Sequence, residues 1–336
     1  YSALHAEIEP GDWLLSAHHR EDQAETLLLN LVRGSGPAGI AGIGAARRFG
    51  SGWLVRPVLH VDRAALLSYA DTHGLQWLED PSNADRRFDR NFLRHEVLPR
   101  LQTRWPDIAA RLQRSARLAG EAAALLADLA ALDLDALGGR AGRLPVDGLL
   151  ALPAARQRNL IRHALRVCGL STPTTLQLDR VLDEVLPARG DAQPHVAWAG
   201  ASVRRYRNGL YLLPEALPEV PRDAEFRDGR AELGEGLGAL RLVKDAGRGL
   251  DPALVARGLR LGFRRGGEQI RPDSQVHTRK LKKLLQDEGV VPWLREHVPL
   301  VYAGDDLVAV GDLWIAADAA RTPGVAVRWE ERPVLH

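Results

Sequence analysis

The feature that most constrains this chain lies near its start. Asp12-Trp13-Leu14-Leu15-Ser16-Ala17, set off by Pro10-Gly11, runs into a segment with apolar residues at Ala24, Leu27, Leu28 and Leu31. A short apolar run reads as a buried strand, and the i, i+3, i+4, i+7 spacing predicts an amphipathic helix over Asp22 to Arg33. His18, His19, Arg20 and Glu21 fall between them, at the carboxyl end of the strand, where open α/β sheets bind ligands. The cycle repeats: Leu54 to Leu59 reads as a strand and Asp62 to His73 as a helix, with Asp62 as N-cap and Gly74 as stop. The predicted class is α/β, with the C-terminal part of a Rossmann-like parallel-sheet domain over residues 1–104.

Periodicity then changes. Trp105 to Leu137, Pro153 to Cys168 and Thr174 to Pro187 have helical spacing, and short strands are expected at Val196 to Trp198, Ser202 to Tyr206 and Leu210 to Leu213. These make a mainly helical domain, 105–215, followed by a Pro-rich linker from Pro214 to Pro221. Residues 216–336 read as a small α+β domain, with strands near 240–243, 259–263, 300–302 and 307–310. They surround a helix from Thr278 to Glu288, on which Leu281, Leu284 and Leu285 share one face and Arg279, Lys282 and Lys283 the other.

Composition excludes several classes. A lone cysteine, Cys168, rules out an internal disulfide, a CxxC pair and a thiolate metal cage. Apolar runs such as Ala122 to Leu126 fall far short of the ~20 residues that cross a bilayer. No membrane partner is expected, and a reducing cytoplasm is the expected compartment. Of 45 basic residues against 43 acidic, nine Arg between Arg86 and Arg117 face only Asp89, Glu96 and Asp107; nine Arg and Lys between Arg257 and Lys283 face only Glu268 and Asp273. Patches of this kind suit a polyanion, although solvated helix faces produce them too.

Three segments could carry chemistry. In the first, His18 and His19 could shuttle protons or bind nucleotide, and Asp22 or Glu25 could hold Mg²⁺; the alternative is that Asp22 caps the helix and Glu25 completes a capping box. In the second, Arg33-Gly34-Ser35-Gly36 could present N–H groups and a guanidinium to an anion, or simply end a helix. In the third, Arg90 and Arg94, a helical turn apart around Asn91, could grip phosphate or pair with a carboxylate.

Taken in order, these pieces resemble the tRNA(Ile)-lysidine synthetase family of the PP-loop ATP pyrophosphatase superfamily. The resemblance runs through His18-His19-x-x-Asp22-Gln23-x-Glu25-Thr26, Arg33-Gly34-Ser35-Gly36-Pro37-x-Gly39, Arg56-Pro57-Val58-Leu59, Glu79-Asp80-Pro81-Ser82-Asn83 and Arg90-Asn91-x-x-Arg94. It ends in Phe263-Arg264-x-Gly266-Gly267-Glu268-x-x-Arg271-Pro272, Leu281-Lys282-Lys283-Leu284-Leu285 and Pro292-Trp293-Leu294-Arg295.

The resemblance implies that ATP adenylates the C2 oxygen of the wobble cytidine in an isoleucine tRNA with a CAU anticodon, and that free L-lysine then displaces AMP. It implies ATP and Mg²⁺ as cofactors, His18, His19, Asp22 and Glu25 as catalytic residues with Asp22 on the metal, and Arg33 to Gly36 at the nucleotide. Arg90, Asn91, Arg94, Arg279, Lys282 and Lys283 are expected at the tRNA. A homodimer is left open.

The family's SGGxDS phosphate loop occurs nowhere in these 336 residues. The expectation is that about 100 residues precede Tyr1, consistent with ordinary domain sizes, and that the chain as given is inactive. Glu21 replaces the family's usual Asp, and Asp273-Ser274-Gln275 replaces a common Gly-Arg pair. The rivals are another PP-loop tRNA-modifying enzyme, disfavoured by the single cysteine, and a tRNA-binding module without catalysis. Trp77, Trp105, Trp293 and Trp314 are expected to be packed core residues.

Overall fold

The computed structural model describes residues 4–5, 7–78, 80–189, 192, 194–220 and 223–335, and the chain divides into two compact units, 1–136 and 137–336. In the first, β1 (Trp13–Leu15) leads to α1 (Arg20–Val32) and the short α2 (Pro37–Ile40). Next come β2 (Ala46–Phe49), β3 (Gly52–Val55) and α3 (Arg63–Thr72). β1 and β3 pair in parallel, Leu14 beside Leu54, and β2 closes antiparallel on β3, giving the order β1-β3-β2.

The two βα cycles are therefore present, with two corrections. β3 ends at Val55 rather than Leu59, because Pro57 has no N–H for the ladder and the chain turns there. β1 is not a buried strand: Trp13 and Leu15 are exposed, as is Trp53 beside Trp13 on the central strand, so this face of the sheet lacks a cover among the described residues.

Downstream, α4 (Asp89–Phe92) passes through a π-helical turn, Leu93–Val97, into α5 (Leu98–Arg104), and α6 (Ile108–Ala136) follows as a single 29-residue helix. Ala24 on α1, Leu98 and Ala109 are buried together, with Leu28 and Leu112 against them. Small residues here let α6 lie close to α1.

In the second unit, β4 (Arg143–Pro145), β5 (His195–Trp198), β6 (Ala201–Tyr206) and β7 (Gly209–Leu213) form an antiparallel sheet in the order β4-β7-β6-β5. Its helices are α7 (Val146–Ala151), α8 (Ala154–Val167) and α9 (Thr175–Arg180), the last passing into a π-helical turn at Val181–Val185 instead of continuing to Pro187. Two five-stranded sheets follow. One is built on Ala239–Asp245 paired with Gly324–Glu330, the other on Leu300–Ala303 between Arg260–Gly262 and Asp306–Val310.

α10 (Leu281–Glu288) buries Leu281, Leu284 and Leu285, as the spacing predicts, and stops at Gly289 in the left-handed region. It begins three residues later than expected, because Arg279–Lys280 is a strand paired with Gln269–Ile270. Trp293 packs edge-on against Tyr211, and Trp314 is half-buried, whereas Trp77 and Trp105 are exposed, against expectation.

Candidate active site

The site is assembled at the first turn of α1. His19 is the N-cap, with extended backbone, and its N–H donates to Asp22 Oδ2 at 2.9 Å. Asp22 is thus the third residue of the helix rather than its cap. Glu25 lies one turn further along and is fully buried.

Glu25 is no capping-box partner. Its carboxylate accepts from Arg90 Nε at 2.7 Å, Arg94 Nε at 2.6 Å and Arg94 Nη2 at 2.9 Å. Asp22 Oδ1 accepts from Nη2 of both arginines, at 2.8 and 3.1 Å. Two carboxylates and two guanidiniums, from segments more than 60 residues apart in sequence, make a compensated cluster. A buried carboxylate requires that pairing. Among the described residues neither Nη1 of Arg90 nor of Arg94 has a protein acceptor, so each arginine keeps an edge for an anion.

Asn91 is not available to a partner. It is buried, and its amide donates to Ser82 O and Asp85 O, both at 2.9 Å, fixing the loop ahead of α4. Asp80 caps that loop by accepting from Ser82 N–H. Glu79, in the same motif, lies outside the described residues.

Asp22 does not fit a Mg²⁺ ligand. Its oxygens are committed to Arg90, Arg94 and the His19 N–H, and no group of three or more His, Cys, Asp or Glu side chains among the described residues is arranged to hold a metal.

A cavity of about 320 Å³ opens over this cluster, lined by Ser16, Ala17, His18, Asp22, Arg90, Asn91 and Arg94. His18 Nδ1 lies 2.5 Å from Ser16 Oγ. Burial pushes the His18 pKa below its ordinary value; Asp22 opposes this, while Arg56, Arg90 and His19 add to it. His18 is therefore a neutral imidazole at pH 7. His19 Nδ1 lies 3.0 Å from Glu21 Oε2 and its Nε2 3.4 Å from Asp22 Oδ2, and the Glu21 oxygen also accepts from Arg63 N–H at the start of α3.

Arg33 to Gly36 sit at the opposite end of α1, about 17 Å along the axis from Asp22 at ~1.5 Å per residue. The loop is a Schellman stop: Gly34, at φ 69°, donates to Leu31 O, and Ser35 N–H donates to Asn30 O. The N–H groups of Arg33, Gly34 and Ser35 are taken up by the helix, and a helix C-terminus repels anions. Three of the four N–H groups expected to form a phosphate cradle are therefore already bonded within the chain.

Sequence reasoning passed over Ser16, Gln23 and Arg56. Gln23 is buried and clamps the 41–43 loop, accepting from Ile43 N–H at 2.6 Å and donating to Ala41 O at 3.0 Å. Arg56 donates to Gly44 O at 2.7 Å. Gln23 and Arg56 stand inside the quoted motifs, but only the fold shows what they hold.

In the second unit Lys282 and Lys283 are exposed on α10, as expected. Arg279 is not on that helix; it lies on the preceding strand and pairs with Asp287. Asp273 accepts from Arg248 Nε at 2.6 Å.

Residues 1–101 match the family model of the PP-loop domain, which sets the class of the first unit's α/β fold. Residues 144–211 match the TilS substrate binding domain and residues 259–329 the TilS substrate C-terminal domain. The chain is 42% identical to tRNA(Ile)-lysidine synthase of Alkalilimnicola ehrlichii over 98% of its length and 75% of the relative's. It is 40% identical to that of Methylococcus capsulatus, over 98% and 77%, and 39% identical to that of Coxiella burnetii, over 92% and 69%. The chain belongs to the tRNA(Ile)-lysidine synthase family.

Proposed function

We propose that this chain carries out the ATP-dependent formation of lysidine on isoleucine tRNA with a CAU anticodon, with His18 as the base that accepts the lysine proton. The reaction has two bond exchanges. The cytidine O2 bonds to the α-phosphorus of ATP as pyrophosphate leaves; the lysine amine then bonds to C2 as the C2–O bond breaks and AMP leaves. The first exchange turns a poor leaving group into a phosphate ester. The second needs an amine that has lost its proton.

One observation carries the assignment: of the titratable groups lining the cavity, His18 is the one outside the Asp22, Arg90 and Arg94 ion pairs. In the tautomer whose Nδ1–H donates to Ser16 Oγ, Nε2 keeps its lone pair for the lysine proton. Asp22 and Glu25 are spent on Arg90 and Arg94, whose role is to present positive charge, through Nη1, to the phosphate of the adenylated intermediate. ATP use follows from the PP-loop class. This chain offers no ligand set for Mg²⁺ among the described residues, and no step here is assigned to the ion. Lys282 and Lys283 supply backbone contacts to the tRNA, which position it without reading sequence.

The test is labelled-lysine incorporation into an isoleucine tRNA transcript with a CAU anticodon, using the 336 residues alone and with the family's phosphate-loop segment supplied ahead of Tyr1. Incorporation in the second case, abolished by His18→Ala, is expected. Incorporation unaffected by His18→Ala removes the base assignment. No incorporation, with tRNA binding retained, favours a binding module.

A further inference from the structure

The sheet β4-β7-β6-β5 carries one row of side chains across all four strands. Arg143 on β4 is paired with Tyr211 on β7, Tyr211 with Arg204 on β6, and Arg204 with His195 on β5. Cross-strand partners share a face, so the four side chains stand on one side of the sheet in a line about 14 Å long, at ~4.8 Å per strand. That face meets the C-terminal domain. Trp293 packs edge-on against Tyr211 at 5.2 Å, and the hydroxyl of Tyr206, two residues from Arg204 on β6, accepts from Arg295 at 2.9 Å. None of the four strands contains an aspartate or a glutamate.

Arg204 is the anomaly in this row. It is half-buried, its Nε is shut off from water, and among the described residues it has neither a hydrogen-bond acceptor nor an ion pair. The neighbouring arginines are provided for: Arg205 donates to Leu186 O, Arg207 to Gln286 O and Arg295 to Val290 O. What Arg204 does have is the Trp293 ring, 5.6 Å from its guanidinium carbon. A cation–π contact attracts the charge but leaves the in-plane N–H donors unpaired. Burial lowers the Arg204 pKa, and no carboxylate works against it. A lysine or histidine in this position sheds its proton; a guanidinium does not, so what offsets its burial is an anion. On its flanks, Arg143 is exposed and commits only Nε, to Tyr211 OH at 3.1 Å, and His195 is exposed.

We propose that Arg204, flanked by Arg143 and His195, binds a phosphate group on this face of the sheet. The planar fork of a guanidinium matches two phosphate oxygens, and a phosphate keeps a further oxygen for a flanking group, whereas a carboxylate is used up by the fork alone. The group comes from a nucleic-acid backbone or from a free phosphate compound, which present the same oxygens. Arg143, His195 and Arg204 lie outside the motifs that carry the family resemblance, and the site does not depend on the lysidine reading of the His18 cavity.

Thermal melts of the 336-residue chain in low-salt buffer, titrated with inorganic phosphate and with sodium chloride at matched ionic strength, test the site. Phosphate is expected to raise the melting temperature saturably where chloride does not. Arg204→Met should weaken the apparent phosphate affinity at least tenfold and, without phosphate, melt no lower than the native chain, since an unpaired charge has been removed. Arg143→Gln and His195→Ala, at exposed positions, should each weaken it several-fold, and they carry the test if Arg204→Met does not fold. Equal effects of phosphate and chloride overturn the proposal, as does phosphate stabilisation indifferent to these substitutions. Filter binding of an isoleucine tRNA transcript then identifies the source. A backbone source predicts tRNA affinity reduced several-fold by Arg204→Met, with the slope of log K against log salt smaller by about 1. Unchanged tRNA affinity, with the phosphate effect retained, assigns a free phosphate compound, for which AMP and pyrophosphate are the probes.

Discussion

Arg94 holds Glu25 through two nitrogens, Nε at 2.6 Å from Oε1 and Nη2 at 2.9 Å from Oε2, and Glu25 is wholly excluded from water. With Arg90 on the other flank, the pairing staples the first turn of α1 to the segment around α4. It also raises the Arg94 pKa further, chiefly through the hydrogen bond to Glu25.

Removing one partner leaves a buried charge uncompensated. Arg94→Ala should destabilise the protein by about 3 kcal/mol, the lower end of the range for broken buried pairs, because Arg94 retains some contact with water. Lysine at this position should not rescue it, since it lacks the forked geometry. Urea denaturation of the three proteins gives the comparison.

The depressed His18 pKa has a kinetic consequence. A base held below the ordinary 6.5 stays neutral at pH 7, so the acid limb of lysine transfer should lie below 6.5. Ser16→Ala removes the group that orients the imidazole and should lower kcat about tenfold, with little change in KM. A pH–rate profile of both proteins measures the limb and the drop.

Glu21 titrates in the acid range. Burial raises its pKa, but the bonds from His19 and the Arg63 N–H outweigh that and hold it below the ordinary 4.5. A folded-state pKa below the unfolded one contributes stability that is present above about 4.5 and lost as pH falls through the folded value. The stability gap between the native protein and Glu21→Gln should therefore be constant near neutrality and shrink below pH 4.5, as followed by thermal melts across pH 3 to 7.

Lys282 and Lys283 are exposed, while Arg279 is tied to Asp287. Reversing both lysines should weaken tRNA binding and reduce the slope of log K against log salt by about 2. Arg279→Ala should leave that slope nearly unchanged. Filter binding from 50 to 300 mM salt reads both.

Much of the local structure was legible. The i, i+3, i+4 spacing located α1, α8 and α10, and Gly74 ended its helix where it was expected, because left-handed backbone at a helix end favours glycine. The strand ends were less legible: Pro57 cut β3 short, and Arg279–Lys280 was drawn out of α10 by pairing with Gln269–Ile270. Exposure was misread at Trp13, Trp77 and Trp105, since an aromatic is buried only if some other element covers it.

The sequence by itself determined the βα cycles and the family, because periodicity and ordered motifs are properties of the chain read in one dimension. Only the tertiary structure decided what those residues do to one another. Arg90 and Arg94 read equally as phosphate ligands or ion-pair partners until α4 met α1 and set them on Asp22 and Glu25. That pairing satisfied the carboxylates and left His18 as the titratable group of the cavity outside the ion pairs. Charge compensation depends on distance in space, and residues more than 60 positions apart have no fixed distance until the chain folds.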